Sequence, residues 1–298
     1  MTPVPERHRF VSFLSDYGRT DEFVGVCHAV MVDLAPHLRV VDITHDIAPF
    51  DVRAGALALV RAVQYLPEGI VLAVVDPGVA TDRMCVAVEV AGGVLVGPDN
   101  GLLTPAVAML GGPLQVVGLT NPAYQLAAPG PTFAGRDVMA PAAAHLANGV
   151  AIGELGDRVD PAALQPGILP VPEAHDGAWR CDVLWVDRFG NCQLNLDPDE
   201  LRAGGCGEGT TFEIRVGDAI RRARWVRAYA DARPSELAFL VDSYGLASLA
   251  LDRRSAADEL GIRSGAVVTV VPPGATAFTG AAGDGAQPVR FGRAEPSA

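Results

Sequence analysis

Carboxylates that follow short apolar runs are the first feature of this chain to suggest chemistry. Three polar clusters stand at such places. They are Ser15-Asp16-Tyr17-Gly18 followed by Asp21, Asp76-Pro77-Gly78-Val79 followed by Arg83, and Gly97-Pro98-Asp99-Asn100-Gly101. Any one of them is explained by turn formation, since Asp, Asn, Pro and Gly all favour turns. Three together at one sheet edge read as a site, because open α/β sheets bind ligands beyond the carboxyl ends of their strands. A strand-end carboxylate such as Asp16 can accept both hydroxyls of a ribose. The Gly-rich phosphate fingerprint of dinucleotide sites is absent. A ribose without a phosphate tail, in a nucleoside or a sulfonium nucleoside, therefore fits better than NAD or ATP.

Other chemistries are excluded or weakened by composition. All 23 basic residues are Arg, so a P-loop, a pyridoxal-phosphate Schiff base, a Lys nucleophile and the kinase β3 Lys are impossible. The net charge of −12 argues against nucleic acid as a partner, since tracking a phosphate backbone needs clustered cations. The densest basic run, Arg221-Arg222-Ala223-Arg224 with Arg227, reads as a solvated strand face. The six His show no H-x-x-x-H or H-E-x-x-H spacing; His45-Asp46 is the one tempting pair, and no metal is expected. No G-x-S-x-G elbow presents a Ser nucleophile. The five Cys lie apart in apolar stretches with no C-x-x-C, as reduced packing thiols do. Without a signal-like segment or a long apolar run, the expectation is a cytoplasmic protein with no membrane partner.

The elements that must position these clusters alternate along the first half. Apolar runs at Arg9–Leu14, Leu38–Ile43 and Ile70–Val75 read as strands, and Cys85–Val96 as a hairpin turning at Gly92-Gly93. Periodic segments at Asp21–Leu34, from Asp51 to about Tyr65, Leu102–Leu110 and Arg136–Asn148 read as helices, with Asp51 as an N-cap. This is an α/β domain with a largely parallel sheet flanked by helices. The pattern breaks near Val159, and the stretch from Asp160 to Asp176 carries four Pro. Short strands separated by Gly, Asp and Asn then follow, with one helix at Ser255–Leu260; they predict a smaller C-terminal β-barrel. The expected division is residues 1–165 as the α/β domain, 166–178 as a linker, 179–274 as the barrel and 275–298 as a loose tail.

Taken in order, the clusters form a recognisable set. Phe13-Leu14-Ser15-Asp16-Tyr17-Gly18, Val41-Asp42-Ile43-Thr44-His45, Asp76-Pro77-Gly78-Val79, Gly97-Pro98-Asp99-Asn100-Gly101-Leu102-Leu103 and Pro131-Thr132-Phe133-Ala134-Gly135-Arg136-Asp137 are followed by Asp187-Arg188-Phe189-Gly190-Asn191 and Asp242-Ser243-Tyr244-Gly245. From about Arg9 to Val271 the chain resembles the S-adenosyl-L-methionine (SAM) hydroxide adenosyltransferases, adenosine-forming SAM hydrolases related to the fluorinase and chlorinase. The resemblance implies hydrolysis of SAM to adenosine and L-methionine, with SAM as substrate and no cofactor. It implies a homotrimer whose sites lie between the N-terminal domain of one subunit and the C-terminal domain of the next. Carried over by position, Asp16 would hold the ribose hydroxyls. Asp21, Asp187 and Ser243 would hold the methionine end, and Asn191 would read the adenine edge. Phe50 and Tyr229 would pack near the adenosine rings, and Gly135 belongs to the same set.

The chemistry agrees with the resemblance. A sulfonium leaves readily, so the difficulty is water, which must lose a proton and be aimed in line at the ribose C5′. Asp76 and Arg83 resemble two members of the family's Asp-Arg-His set for that task. A carboxylate at position 76 should repel a halide, which favours hydrolysis over halogenation. The third member of the set departs from the pattern: between Phe133 and Gly135, where the family has His, this chain has Ala134. Either the site carries a deliberate substitution, which the undamaged flanks favour, or the chain is a natural member of altered activity. Slow turnover is expected in both cases. Two alternatives stay open: a non-catalytic SAM- or adenosine-binding protein, and a chlorinase-like halide adenosyltransferase.

Overall fold

In the computed structural model, residues 8–276 and 286–289 are described. The chain divides into two compact units, residues 1–169 with 288–298, and 170–287.

The first unit is built on six strands: β1 (Phe10–Ser15), β2 (Arg39–Thr44), β3 (Gly69–Val74), β4 (Cys85–Val90), β5 (Gly93–Pro98) and β6 (Gln115–Gly118). They lie in the order β2-β1-β3-β5-β4-β6. The four strands β2, β1, β3 and β5 run parallel, and β4 runs against both of its neighbours. Side chains alternate across the sheet. Val11, Phe13, Ile70, Leu72, Val74, Val94 and Val96 therefore join one core layer, and Leu14, Val71, Ala73 and Leu95 join the other. Helices α1 (Phe23–Leu34) and α4 (Ala140–Ala147) cover the first layer; α2 (Val52–Val63) and α3 (Thr104–Met109) cover the second. All of β3 is buried, as expected for a strand covered on both faces. Asp51 caps α2, its Oδ1 accepting the Ala54 N–H at 2.8 Å.

Two local differences from the sequence reading have clear causes. Arg136–Asn148 is not one regular helix: Gly135–Met139 forms a π-type turn before α4 begins. Pro141 has no N–H to return to the Asp137 carbonyl, which accepts the Leu126 N–H at 2.8 Å instead, while the Ala140 N–H reaches back to the Gly135 carbonyl. Strand β6 was not expected, because only Val116 and Val117 give it an apolar signal between glycines.

Residues 166–178, expected to be a linker, carry two short strands, β7 (Gly167–Pro170) and β8 (Glu173–His175). β7 pairs with a strand at Ala286–Val289, so part of the expected tail 275–298 is ordered β structure; residues 277–285 and 290–298 lie outside the described residues.

The second unit contains β9 (Ala178–Val186), β10 (Cys192–Leu194), β11 (Thr211–Val216), β12 (Ala219–Trp225), β13 (Leu237–Val241), β14 (Ala247–Ala250) and β15 (Val267–Val271). The order β10-β14-β13-β12-β11-β15-β9 closes through the β10–β9 pairing into a seven-stranded barrel, and β8 extends it beside β9. Phe212, Trp225 and Phe239 fill its centre, with ring centroids 4.6–5.9 Å apart. Arg221 and Arg222 on β12 are exposed, as expected of a solvated strand face, whereas Arg224 is half-buried and pairs with Glu236 at 3.0 Å. Among the described residues no helix is long and apolar enough to cross a membrane.

Candidate active site

Each unit carries its own cavity, and the residues singled out in the sequence, Asp21 and Arg83 apart, line one or the other. The first, about 760 Å³, opens at the carboxyl ends of β1 and β3 and is lined by Asp16, Phe50, Asp76, Ala134 and Gly135 among others. Asp16 follows β1 directly. Its Oδ2 accepts the Phe50 N–H at 2.9 Å, and Phe50, a residue 71% exposed, holds a φ of +69°. This left-handed backbone is unusual for a bulky residue, and such conformations cluster at functional sites.

Asp76 lines this cavity and forms a buried charge pair with Arg83, which is not among the lining residues. Asp76 Oδ2 lies 2.5 Å from Arg83 Nη2, and the two side chains are only 7% and 10% exposed. The guanidinium is steered by the Gly78 carbonyl at 3.4 Å, the Met84 carbonyl at 3.1 Å and Cys85 Sγ at 2.9 Å. Burial pushes the Asp76 carboxyl above the ordinary carboxylate value, and the Asp16 charge adds to the push; Arg83 and the Gly78 amide pull the other way and lose. Neither Asp76 oxygen receives a well-aligned hydrogen bond. The group is thus a buried carboxylate at the cavity wall with a tightened hold on a proton, which is the character of a general base.

Ala134 sits against this cavity at the entry to the π-type turn and is 9% exposed. Gly135 follows for a steric reason: a Cβ there would lie 2.0 Å from Tyr17 Oη. Tyr17, Phe23 and Phe133 line the cavity as an aromatic wall, with centroids 5.1–5.7 Å apart. Arg136 lies 4.9 Å above the Phe133 ring. Burial is the main reason the Tyr17 phenol is pushed well above its ordinary range, with the nearby Cys27, Asp16 and Asp76 adding to the push, so it remains a protonated donor. No spacing in the sequence marks these three aromatics as one wall. Their joint position depends on a fold that brings residues over 100 positions apart into contact. Asp21 does not line the cavity; it is exposed, and its neighbour Glu22 takes that place.

The second cavity, about 410 Å³, lies on the barrel and is lined by Asp187, Asn191, Tyr229 and Ser243, all four expected from the sequence. Trp185, Gln193, Arg227, Asp242 and Tyr244 also line it. Asp187 closes its own loop, with Oδ1 accepting the Phe189 and Asn191 N–H groups at 2.8 and 2.9 Å and Oδ2 accepting Asn191 Nδ2 at 2.7 Å. Asp242 repeats the device, accepting the Tyr244 and Leu246 N–H groups at 2.8 and 3.2 Å and Gln193 Nε2 at 2.6 Å. Burial, with Asp187 and Asp242 adding to it, raises the Tyr229 phenol.

Comparison with known proteins places these cavities in a family. The model of the SAM hydroxide adenosyltransferase N-terminal domain matches residues 11–156, and that of the C-terminal domain matches residues 181–269. An (R)-S-adenosyl-L-methionine hydrolase of Salinispora arenicola is 43% identical over 86% of this chain and 95% of its own length. A fluorinase of an Actinoplanes species is 27% identical over 87% and 96%. The crystal structure of an uncharacterised conserved protein from Thermotoga maritima superposes with a TM-score of 0.81 at 30% identity, covering 88% of this chain and 99% of that one. The chain belongs to the SAM hydroxide adenosyltransferase family.

Proposed function

We propose that this family member hydrolyses SAM to adenosine and L-methionine. The carrying observation is the buried Asp76 carboxylate, paired with Arg83 and lining the same aromatic-walled cavity as Asp16. Water attacks the ribose C5′ in line, a C5′–O bond forms and the C5′–S bond breaks with its electrons going to sulfur. The sulfonium thereby becomes the neutral thioether of methionine. The water proton passes to Asp76 and then to solvent. Arg83 keeps Asp76 in place and limits how tightly it holds that proton. Asp16 accepts the ribose hydroxyls, while Phe50 and the aromatic wall pack the nucleoside. A wall of π faces also suits the cationic sulfonium.

The barrel cavity supplies recognition in this reading. Asp187, Ser243 and Asn191 hold the amino-acid end and the adenine edge, and Tyr229 packs beside the rings. Each cavity carries part of the residue set. That supports a homotrimer in which the first cavity of one protomer is completed by the second cavity of the next. The five free thiols support a reducing, cytoplasmic setting.

Ala134 keeps a second reading in play. A methyl group takes no proton, and a chain that binds SAM without turning it over would look the same at every other position. Prolonged incubation with SAM followed by chromatography separates the readings. Hydrolysis gives adenosine and methionine in equal amounts, with or without chloride. A binding protein returns intact SAM, and a halogenase yields 5′-chloro-5′-deoxyadenosine only when chloride is present.

A further inference from the structure

Three donors that do not line the substrate cavity converge on the face of β1 and β2 that α1 covers. His28 comes from α1, Asp42 from β2 and His45 from the residue just past β2. His28 Nε2 lies 2.8 Å and His45 Nε2 3.1 Å from the same oxygen, Asp42 Oδ1, and the three donor atoms all lie within 4.8 Å of one another. Zinc holds nitrogen and carboxylate oxygen at about 2.0–2.2 Å, which sets tetrahedral ligand atoms roughly 3.3 Å apart. The two nitrogen–oxygen separations, 2.8 and 3.1 Å, lie near that spacing. Two imidazoles and one carboxylate are also a donor set that binds zinc while leaving a fourth position to solvent.

The surroundings are those of a built site. His45 is fully buried, and its Nδ1 lies 2.7 Å from Ser15 Oγ. Metal ligation at Nε2 requires the ring proton to sit on Nδ1, and Ser15 can then accept it; without metal the same hydroxyl can donate to Nδ1 instead. A partner of this kind on the far nitrogen accompanies almost every histidine that binds metal. The buried Phe13 ring packs against both imidazoles, its centroid 4.7 Å from His45 and 6.0 Å from His28, and fixes their planes. His28 and Asp42 are about one-third exposed, at 31% and 33%, which gives an ion a way in.

We infer that His28, Asp42 and His45 bind a divalent transition metal of the zinc type. The inference is independent of the reading of the substrate cavity, although the two sites are joined. Ser15 and Gly18 bracket Asp16, and both bond to His45, the latter through its N–H to the His45 carbonyl at 2.8 Å. A metal here therefore stiffens the loop that carries Asp16.

The test is equilibrium dialysis of Zn²⁺ against the tag-free, chelator-stripped full chain, followed by Co²⁺ absorption to report tetrahedral coordination. One Zn²⁺ per chain is expected, together with a rise in Tm, because the ion binds only the folded state. Ser15→Ala should weaken binding by about 10–100-fold, the usual cost of losing a supporting partner. His28→Ala and Asp42→Ala should weaken it at least as much. Both residues are partly exposed, so circular dichroism should show these variants folded. His175→Ala, at an exposed histidine beside Asp176, should bind as the parent does. No uptake of Zn²⁺, unchanged affinity in folded His28→Ala, or equal loss in His175→Ala would each overturn the inference.

Discussion

The two cavities use aspartate in opposite ways. On the barrel, Asp187 and Asp242 each accept three hydrogen bonds from their own loops or a neighbouring amide. Carboxylates so saturated hold a loop in shape. In the first unit, Asp76 is buried against a single guanidinium and lacks well-aligned donors, so its proton affinity rises. In the proposed mechanism the difference would separate recognition on the barrel from reaction in the α/β unit.

The strongest way to break this comparison is to neutralise Asp76. Asp76→Asn should lower kcat by about 10²–10⁴-fold, the usual contribution of a general base, while SAM affinity measured by calorimetry stays close to that of the parent. Equal losses in binding and rate would make Asp76 a binding group. Asp16→Ala comes next. It removes two charge-assisted hydrogen bonds to ribose, worth about 1.5–3 kcal/mol each, and should weaken adenosine binding by at least about 10²-fold. Unchanged adenosine affinity would refute the ribose assignment. On the barrel side, Asp187→Ala should loosen its loop and raise KM for SAM by about tenfold, with a smaller effect on kcat. A collapse of kcat at constant KM would place chemistry on the barrel and erase the contrast.

The pH profile sharpens the same point with the smallest effect. Asp76 must be ionised to take a proton from water, and burial raises its pKa above the ordinary 3.8. The rate should therefore fall as pH drops through that raised value. Arg83→Leu removes the main force pulling the value down, so the acid limb should move to higher pH. A limb that stays in place would mean that another group controls it.

Much of this arrangement was legible in the chain because local rules agreed with the global fold. The unbroken apolar run of β3 signalled a strand covered on both faces, and Asp51 signalled the start of α2. Asp16 and Asp76 were visible because strand ends in an α/β pattern mark where ligands sit, and the barrel residues because their motifs follow a family order. What stayed hidden depends on contacts distant in sequence. The wall of Tyr17, Phe23 and Phe133 and the cluster of His28, Asp42 and His45 have no spacing that announces them. The break at Pro141 was readable in principle, but helical periodicity on both sides masked it. The strands inside 166–178 were concealed by prolines, which are tolerated on edge strands.

The central claim is that the first cavity activates water and that position 134 is where its set is incomplete. Phe133 and Gly135 flank Ala134 as the family pattern has them, and Asp76 and Arg83 are in place, so the backbone should present an imidazole to the water. The deciding measurement is kcat and KM for SAM in Ala134→His against the parent, with products identified by chromatography. The account predicts a gain in kcat of about 10²-fold or more with little change in KM, because the added group touches water and not SAM. A His variant no faster than the parent would contradict it.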